Sequence, residues 1–153
     1  MSLLDGRTIV SKVRQNADEK TLHAFYDVRA VDDLPTFIPY YPIFIIINTQ
    51  AKNLPGEHWK VIFIDKYRFG EIFDSLAVPV SLYVSRWMNK FTRKWKRNSL
   101  AYQHPLSTTC GAFAIYYVMK RLNVPDQESV LKTLSKNVFD NENLVTTFYL
   151  SLK

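Results

Sequence analysis

Residues Ser107-Thr108-Thr109-Cys110-Gly111-Ala112-Phe113-Ala114-Ile115-Tyr116-Tyr117-Val118-Met119 pass from hydroxyl side chains straight into an apolar, uncharged run, with the single cysteine of the chain at the junction. The run predicts a buried helix that begins at Cys110. It ends before Asn123-Val124-Pro125, because proline disfavours helical geometry in the residue preceding it. A hydroxyl just ahead of a helix can cap it, and the unpaired N–H groups of the first turn create positive potential that favours a thiolate over a thiol. Gly111 leaves the backbone beside the sulfur open to an approaching carbonyl, at a cost of about 1 kcal/mol relative to alanine. The competing reading is an inert, buried thiol.

Three residues upstream favour chemistry. His58 stands at the mouth of Trp59-Lys60-Val61-Ile62-Phe63-Ile64, a strand pattern that runs into the charged turn Asp65-Lys66-Tyr67-Arg68. The next segment, Phe69-Gly70-Glu71-Ile72-Phe73-Asp74, reads as the returning strand, so a hairpin brings Asp74 to the level of His58. A carboxylate there would fix the tautomer and orientation of the imidazole while the other ring nitrogen meets a thiol. Asp65 and Glu71 compete for the role of the acid, but Asp65 falls in the turn and Glu71 earlier on the return strand. Gln103, seven residues before Cys110, carries an amide able to donate to a developing oxyanion. Trp59 is expected to pack beside the imidazole and shield its bond to the acid.

The order His58, Asp74, Gln103, Cys110 resembles that of the adenovirus protease (adenain) family and of its relatives in Polinton/Maverick-type transposons. The resemblance rests on Gly56-Glu57-His58-Trp59 around the histidine and Thr109-Cys110-Gly111-Ala112-Phe113 around the cysteine. Asp32-Asp33-Leu34-Pro35, Ile43-Phe44-Ile45-Ile46-Ile47, Asn48-Thr49 and Leu54-Pro55 lie upstream in matching order. It covers roughly residues 25 to 122. It implies an α+β fold with a papain-like core in permuted His-Asp-Cys order, a Cys110-His58-Asp74 triad with Gln103 in the oxyanion hole, and cleavage of viral or transposon capsid precursors. The permuted order is also similar to that of ubiquitin-like-protein deconjugating proteases and of certain effector acetyltransferases. An isopeptidase and an acyltransferase therefore stand as alternatives. The resemblance further implies activation by a peptide or by nucleic acid, with no other cofactor. Two features depart from the family: Ser75-Leu76-Ala77 follows the acid where relatives carry an aromatic and a glycine, and a second cysteine to tether an activating peptide is lacking.

At 153 residues and 47% apolar, residues 1–153 are expected to form one cysteine protease domain, monomeric and able to bury a core. A lone thiol suits a reducing, intracellular compartment such as the nucleus or a virion-like particle. His23, His58 and His104 share no metal-ligand spacing with the cysteine. His23 reads as a surface or satisfied core residue and His104 as a polar rim residue. No segment offers the roughly 20 apolar residues of a membrane span, and Met1-Ser2-Leu3-Leu4-Asp5-Gly6 has no signal-peptide pattern.

Elsewhere the patterning predicts a helix from Thr8 to near Asn16, irregular chain from Asp32 to Pro42, and a buried strand from Ile43 to Asn48. A helix is expected from Val80 to about Lys94, a strand over Ser99–Gln103, and two closing helices, one from Asp126 and one after Asp140-Asn141-Glu142. Net charge is +6. Arg86, Lys90, Arg93, Lys94, Lys96 and Arg97 crowd twelve residues, interleaved with Trp87, Phe91 and Trp95. On one helix they would form a basic face opposite an aromatic one, suited to weak, sequence-independent nucleic-acid binding. The competing reading is a solvated amphipathic helix with its aromatics in the core.

Overall fold

The computed structural model describes residues 1–49 and 58–153. Leu54-Pro55-Gly56-Glu57, part of the resemblance above, lies outside the described residues. The elements in chain order are α1 (Gly6–Asn16), α2 (Glu19–Ala24), β1 (Phe25–Ala30), β2 (Ile43–Asn48), β3 (Trp59–Ile64), β4 (Phe69–Phe73), α3 (Leu82–Phe91), β5 (Lys94–Arg97), α4 (Cys110–Arg121), α5 (Gln127–Leu131) and α6 (Val138–Ser151). The strands form one sheet in the order β1-β2-β3-β4-β5, with β2-β3 and β3-β4 antiparallel and the two outer pairs parallel.

The sheet is covered on both faces, so β2 carries no polar residue before Asn48. Phe44 and Ile46 point to one side, where they join Val61, Phe63, Phe73 and the apolar side chains of α4. Ile43, Ile45 and Ile47 point to the other, against Ile62, Ile64, Ile72 and Val84, Trp87 and Met88 of α3. The side-chain period of two sorts one sequence run into two cores. Helix α4 lies on β3, and α1, α5 and α6 pack around it.

The β3-β4 hairpin turns as its sequence predicts. Asp65 Oδ1 accepts from the N–H groups of Tyr67 and Phe69, and Arg68 takes φ 70°, the left-handed residue that closes such loops.

The region after Val80 departs from expectation. Ser81 caps α3, its hydroxyl accepting from Val84 N, and the helix stops at Phe91 instead of Lys94. At Thr92 the backbone is extended (φ −124°, ψ 156°) and the hydroxyl donates to the Met88 carbonyl. Lys94–Arg97 then forms the edge strand β5, parallel to β4, with Trp95 opposite Gly70. A Cβ on Gly70 would lie 2.7 Å from Met88 Cε and from Thr92 Cγ2. The missing side chain therefore lets the end of α3 close down on the sheet, which ends the helix early. The six cations are all exposed, but they do not share one helix face. Arg86 and Lys90 lie on α3, Arg93 in the turn, and Lys94, Lys96 and Arg97 on β5.

Smaller differences follow the same physics. Ser99–Gln103 is irregular, because its N–H groups at Tyr102 and Gln103 both turn to the carbonyl of Ser75. Helix α6 starts before Asp140, capped by Asn137. The short α2 and β1 had no clear sequence period. No helix among the described residues is long and apolar enough to cross a membrane.

Candidate active site

Three of the four predicted site residues stand at the ends of elements, and Gln103 lies in the irregular segment between β5 and α4. His58 immediately precedes β3, Asp74 follows β4, and Cys110 is the first residue of α4, which crosses the face of β3. The antiparallel register pairs Val61 with Phe73; one step further along each strand puts Lys60 opposite Asp74. His58 Nε2 lies 2.5 Å from Asp74 Oδ1. The site is nearly closed to solvent: Cys110 is 2% exposed, Asp74 2% and His58 9%.

Asp74 is held on every side. Its Oδ1 also accepts from Leu76 N at 2.9 Å, and its Oδ2 from Val78 N at 3.0 Å. Lys60 Nζ reaches Oδ2 at 3.2 Å. The Asn98 side chain fixes the backbone, accepting from Asp74 N at 2.9 Å and donating to Asp74 O at 2.7 Å. Burial alone would raise the carboxyl pKa, but the hydrogen bond and charge of His58, then Lys60 and the Leu76 N–H, hold it below the usual carboxylate range. An ionised carboxylate only accepts, so His58 Nε2 carries the proton.

For His58 the balance runs the other way. Burial pushes the imidazole pKa down, but the hydrogen bonds to Asp74 and Cys110 and the charges of both prevail and raise it from 6.5 to about 9. One ring thus links the acid of the sheet with the sulfur of the helix.

Gln103 is buried as well. Its Oε1 accepts from Ser75 Oγ at 2.5 Å, and its Nε2 donates to the carbonyl and hydroxyl of Ser107 at 3.1 and 3.2 Å. Ser75, a departure from the family pattern, therefore ties the acid loop to the glutamine. Ala77 of the same loop adopts φ 51°, the conformation for which glycine is suited.

Several expectations are corrected at the sulfur. Thr109 precedes α4 but makes no side-chain cap. Its hydroxyl donates to Glu142 Oε2 and pairs with Ser107 Oγ at 2.7 Å. Glu142 also accepts from His104 N at 3.1 Å, so α6 holds the loop ahead of the cysteine. Gly111 does not open onto a cleft; a Cβ there would meet Leu4 at 3.1 Å. The Trp59 indole donates to Leu4 O at 2.9 Å, and the hydroxyl of Thr108 to Met1 O. Residues 1–4 are thereby stitched beside the start of α4.

Of the competing acids, Asp65 caps its turn, while Glu71 is taken up by Tyr117 and Arg121. His23 is exposed, and His104 packs on Phe139 with ring centres 5.6 Å apart. Sequence reasoning missed Lys60, Ser75, Asn98 and Glu142. Only Lys60 left a readable signal: it is the lone charge in β3 and shares the parity of His58.

A cavity of about 480 Å³ adjoins the site, lined by His58, Lys60, Val31, Ile47, Thr49, Leu76 and Val78 among others. The larger hollow, about 1240 Å³ between α2, β1 and Tyr40–Pro42, touches none of the four site residues. Its volume does not coincide with the chemistry. Among the described residues no group of three or more His, Cys, Asp or Glu is gathered for a metal ion.

No protein-family model matches the chain, and no curated protein does either. Solved structures match by shape. The ASFV pS273R protease superposes with a TM-score of 0.57 and 19% identity over 81% of this chain and 59% of its own. Its selenomethionine form gives 0.48 and 23% identity over 63% and 40%. The chain thus spans well under two thirds of the length of that protease. The central domain of the uncharacterized Lpg1148 protein from Legionella pneumophila gives 0.56 and 16% identity over 99% and 97%. At these identities the likeness is one of fold. The chain has the α+β fold of a papain-like cysteine protease in permuted order, the histidine strand and acid preceding the cysteine helix.

Proposed function

We propose that the protein is a cysteine endopeptidase that works through an acyl-enzyme. The observation that carries this reading is one imidazole, His58, bonded to Asp74 and to Cys110 at the meeting of a strand and a helix end. Cys110 attacks the scissile carbonyl as a thiolate, and His58 delivers its proton to the leaving amine. In the second step His58 takes a proton from water, which hydrolyses the thioester. Asp74 keeps the proton on Nε2 and stabilises the imidazolium.

The Gln103 amide and the backbone N–H of Cys110 form the oxyanion hole. Gln103 reaches this role by exchanging its bond to Ser107 Oγ, which has Thr109 Oγ1 at 2.7 Å as a partner. Gln103→Ala is expected to lower kcat on the order of 100-fold, as loss of an oxyanion donor does.

The substrate class is viral or transposon structural precursor proteins, in keeping with the adenain-like order of residues and the fold shared with a viral protease. The exposed cations of α3 and β5 supply a sequence-independent surface for nucleic acid, reading phosphates through charge. Trp87 is withdrawn from that surface: it is buried, donates to Pro35 O and packs on Phe91.

The test is alkylation of Cys110 by iodoacetamide followed by intact mass, comparing wild type with His58→Ala near neutral pH. Labelling that is fast in wild type and collapses in the variant supports the reading. Slow labelling equal in both, with and without DNA, overturns it. A peptide library, a ubiquitin-like C-terminal fluorogenic substrate and acetyl-coenzyme A then separate endopeptidase, isopeptidase and acyltransferase.

A further inference from the structure

Lys60 is the side chain at the site that the chemistry above does not use. It lies 6% exposed in β3, whose other five residues are uncharged and buried, and its cross-strand partner in β2 is Ile47. A buried ammonium costs several kcal/mol unless it is paired. An aliphatic residue would serve the sheet at this position, as Ile62 does two residues on. The ammonium spends its stem along this apolar face to reach Asp74 Oδ2 at 3.2 Å, within the cavity that His58 also lines.

We propose that Lys60 is a positioning residue that divides the charge of Asp74 between two cations and so limits how tightly His58 holds its proton. The inference rests on the reading of His58, Asp74 and Cys110 as the reacting group. Each carboxylate oxygen has a cation of its own: Oδ1 faces the imidazole and Oδ2 the ammonium, and each oxygen takes one backbone N–H besides. The groups facing this pair come from every neighbouring element: Lys60 from β3, Cys110 from α4, and the neutral amide of Asn98 after β5. The Arg97 guanidinium bonds outward to Val78 O.

With Asp74 facing the imidazole alone, the imidazolium would be favoured further. That leaves the proton transfer to the leaving amine intact but slows the second step, in which His58 must be neutral to accept a proton from water. Lys60 thus keeps one residue able to act as acid and then as base, and it does so without touching the substrate.

The experiment is an NMR titration of His58 in the intact protein as wild type, Lys60→Met, Lys60→Gln and Lys60→Arg, with steady-state kinetics on a cleaved peptide alongside. With both cations on one carboxylate and an effective dielectric constant near 20, both neutral variants should move the His58 midpoint upward by roughly one unit or more, and Lys60→Arg should restore it. At neutral pH the neutral variants should show kcat and KM falling together by about tenfold as acyl-enzyme accumulates. A His58 midpoint that stays put or moves down in a folded Lys60→Gln or Lys60→Met protein overturns the inference. The titration needs no substrate, so it decides the role of Lys60 even where no peptide is cleaved, an outcome that would count against the peptidase reading alone.

Discussion

Two carboxylates, Glu71 in the middle of β4 and Asp74 just past its end, are 7% and 2% exposed, each bonded to α4 or to the ring that faces it. They differ in the cation they face. Glu71 accepts from Arg121 Nε and Nη2 at 2.8 and 2.7 Å and from the Tyr117 hydroxyl at 2.6 Å, and a guanidinium keeps its charge at any pH that a protein survives. Asp74 is shared between the Lys60 ammonium and an imidazole, and the imidazole does not keep its charge. Equal burial thus yields a permanent clamp between sheet and helix in one case and a titrating pair in the other. The clamp sets where α4 lies; the pair uses that placement.

The sharpest test of this difference is turnover per folded molecule. Asp74→Asn should lower it on the order of 1000-fold or more, since the imidazole loses its orienting charge, whereas Glu71→Gln should leave it within about threefold. The distinction fails if the two variants lose turnover equally once the folded fraction is measured. Stability should respond to Glu71→Gln instead. Leaving Arg121 buried without its carboxylate costs about 3–5 kcal/mol, to be read as a lower urea midpoint.

The third test uses pH. His58 is raised from 6.5 to about 9 on folding, so its contribution, up to about 3 kcal/mol, is complete below pH 6.5 and is lost as pH rises through about 9. Denaturation curves across this window should show the loss in wild type and not in His58→Gln. kcat/KM should fall along the same upper limb as the imidazolium disappears. The contribution of Asp74 has the opposite sense: its pKa is lowered, so its share is present above about pH 4 and is lost on acidification below that. The smallest effect concerns the loop beyond Asp74. Ala77→Gly relieves a left-handed alanine at φ 51°, a gain of under about 1 kcal/mol after the entropy of the unfolded chain is counted, visible as a slightly higher melting temperature with no change in the His58 titration.

What could be read from the sequence, and what could not, divides along similar lines. Strand β2, the hairpin and helix α4 follow from local patterns, and the hairpin alone delivers Asp74 to His58. Strand β5 could not be read: four residues with three charges adopt extended geometry because β4 offers them an edge and Gly70 makes room for Trp95. The Glu71–Arg121 clamp spans 50 residues, a separation over which no local pattern carries information. The Thr109 hydroxyl turns from its helix because Glu142 competes for it, which depends on where α6 docks. Lys60 was visible as an anomaly, but its meaning required knowing which acid it faces.

The stitches beside α4 have a bearing on the life of the chain before it is finished. Trp59 bonds to a residue 55 positions back and Thr108 to one 107 positions back, and contacts of such separation form late, because loop closure must be met before they repay it. The activating ring and the sulfur are themselves 52 positions apart, so they meet only through tertiary folding. If the site is the peptidase centre proposed above, a chain is without that activity until it has folded, and Cys110 gains its activating ring only with the finished tertiary structure.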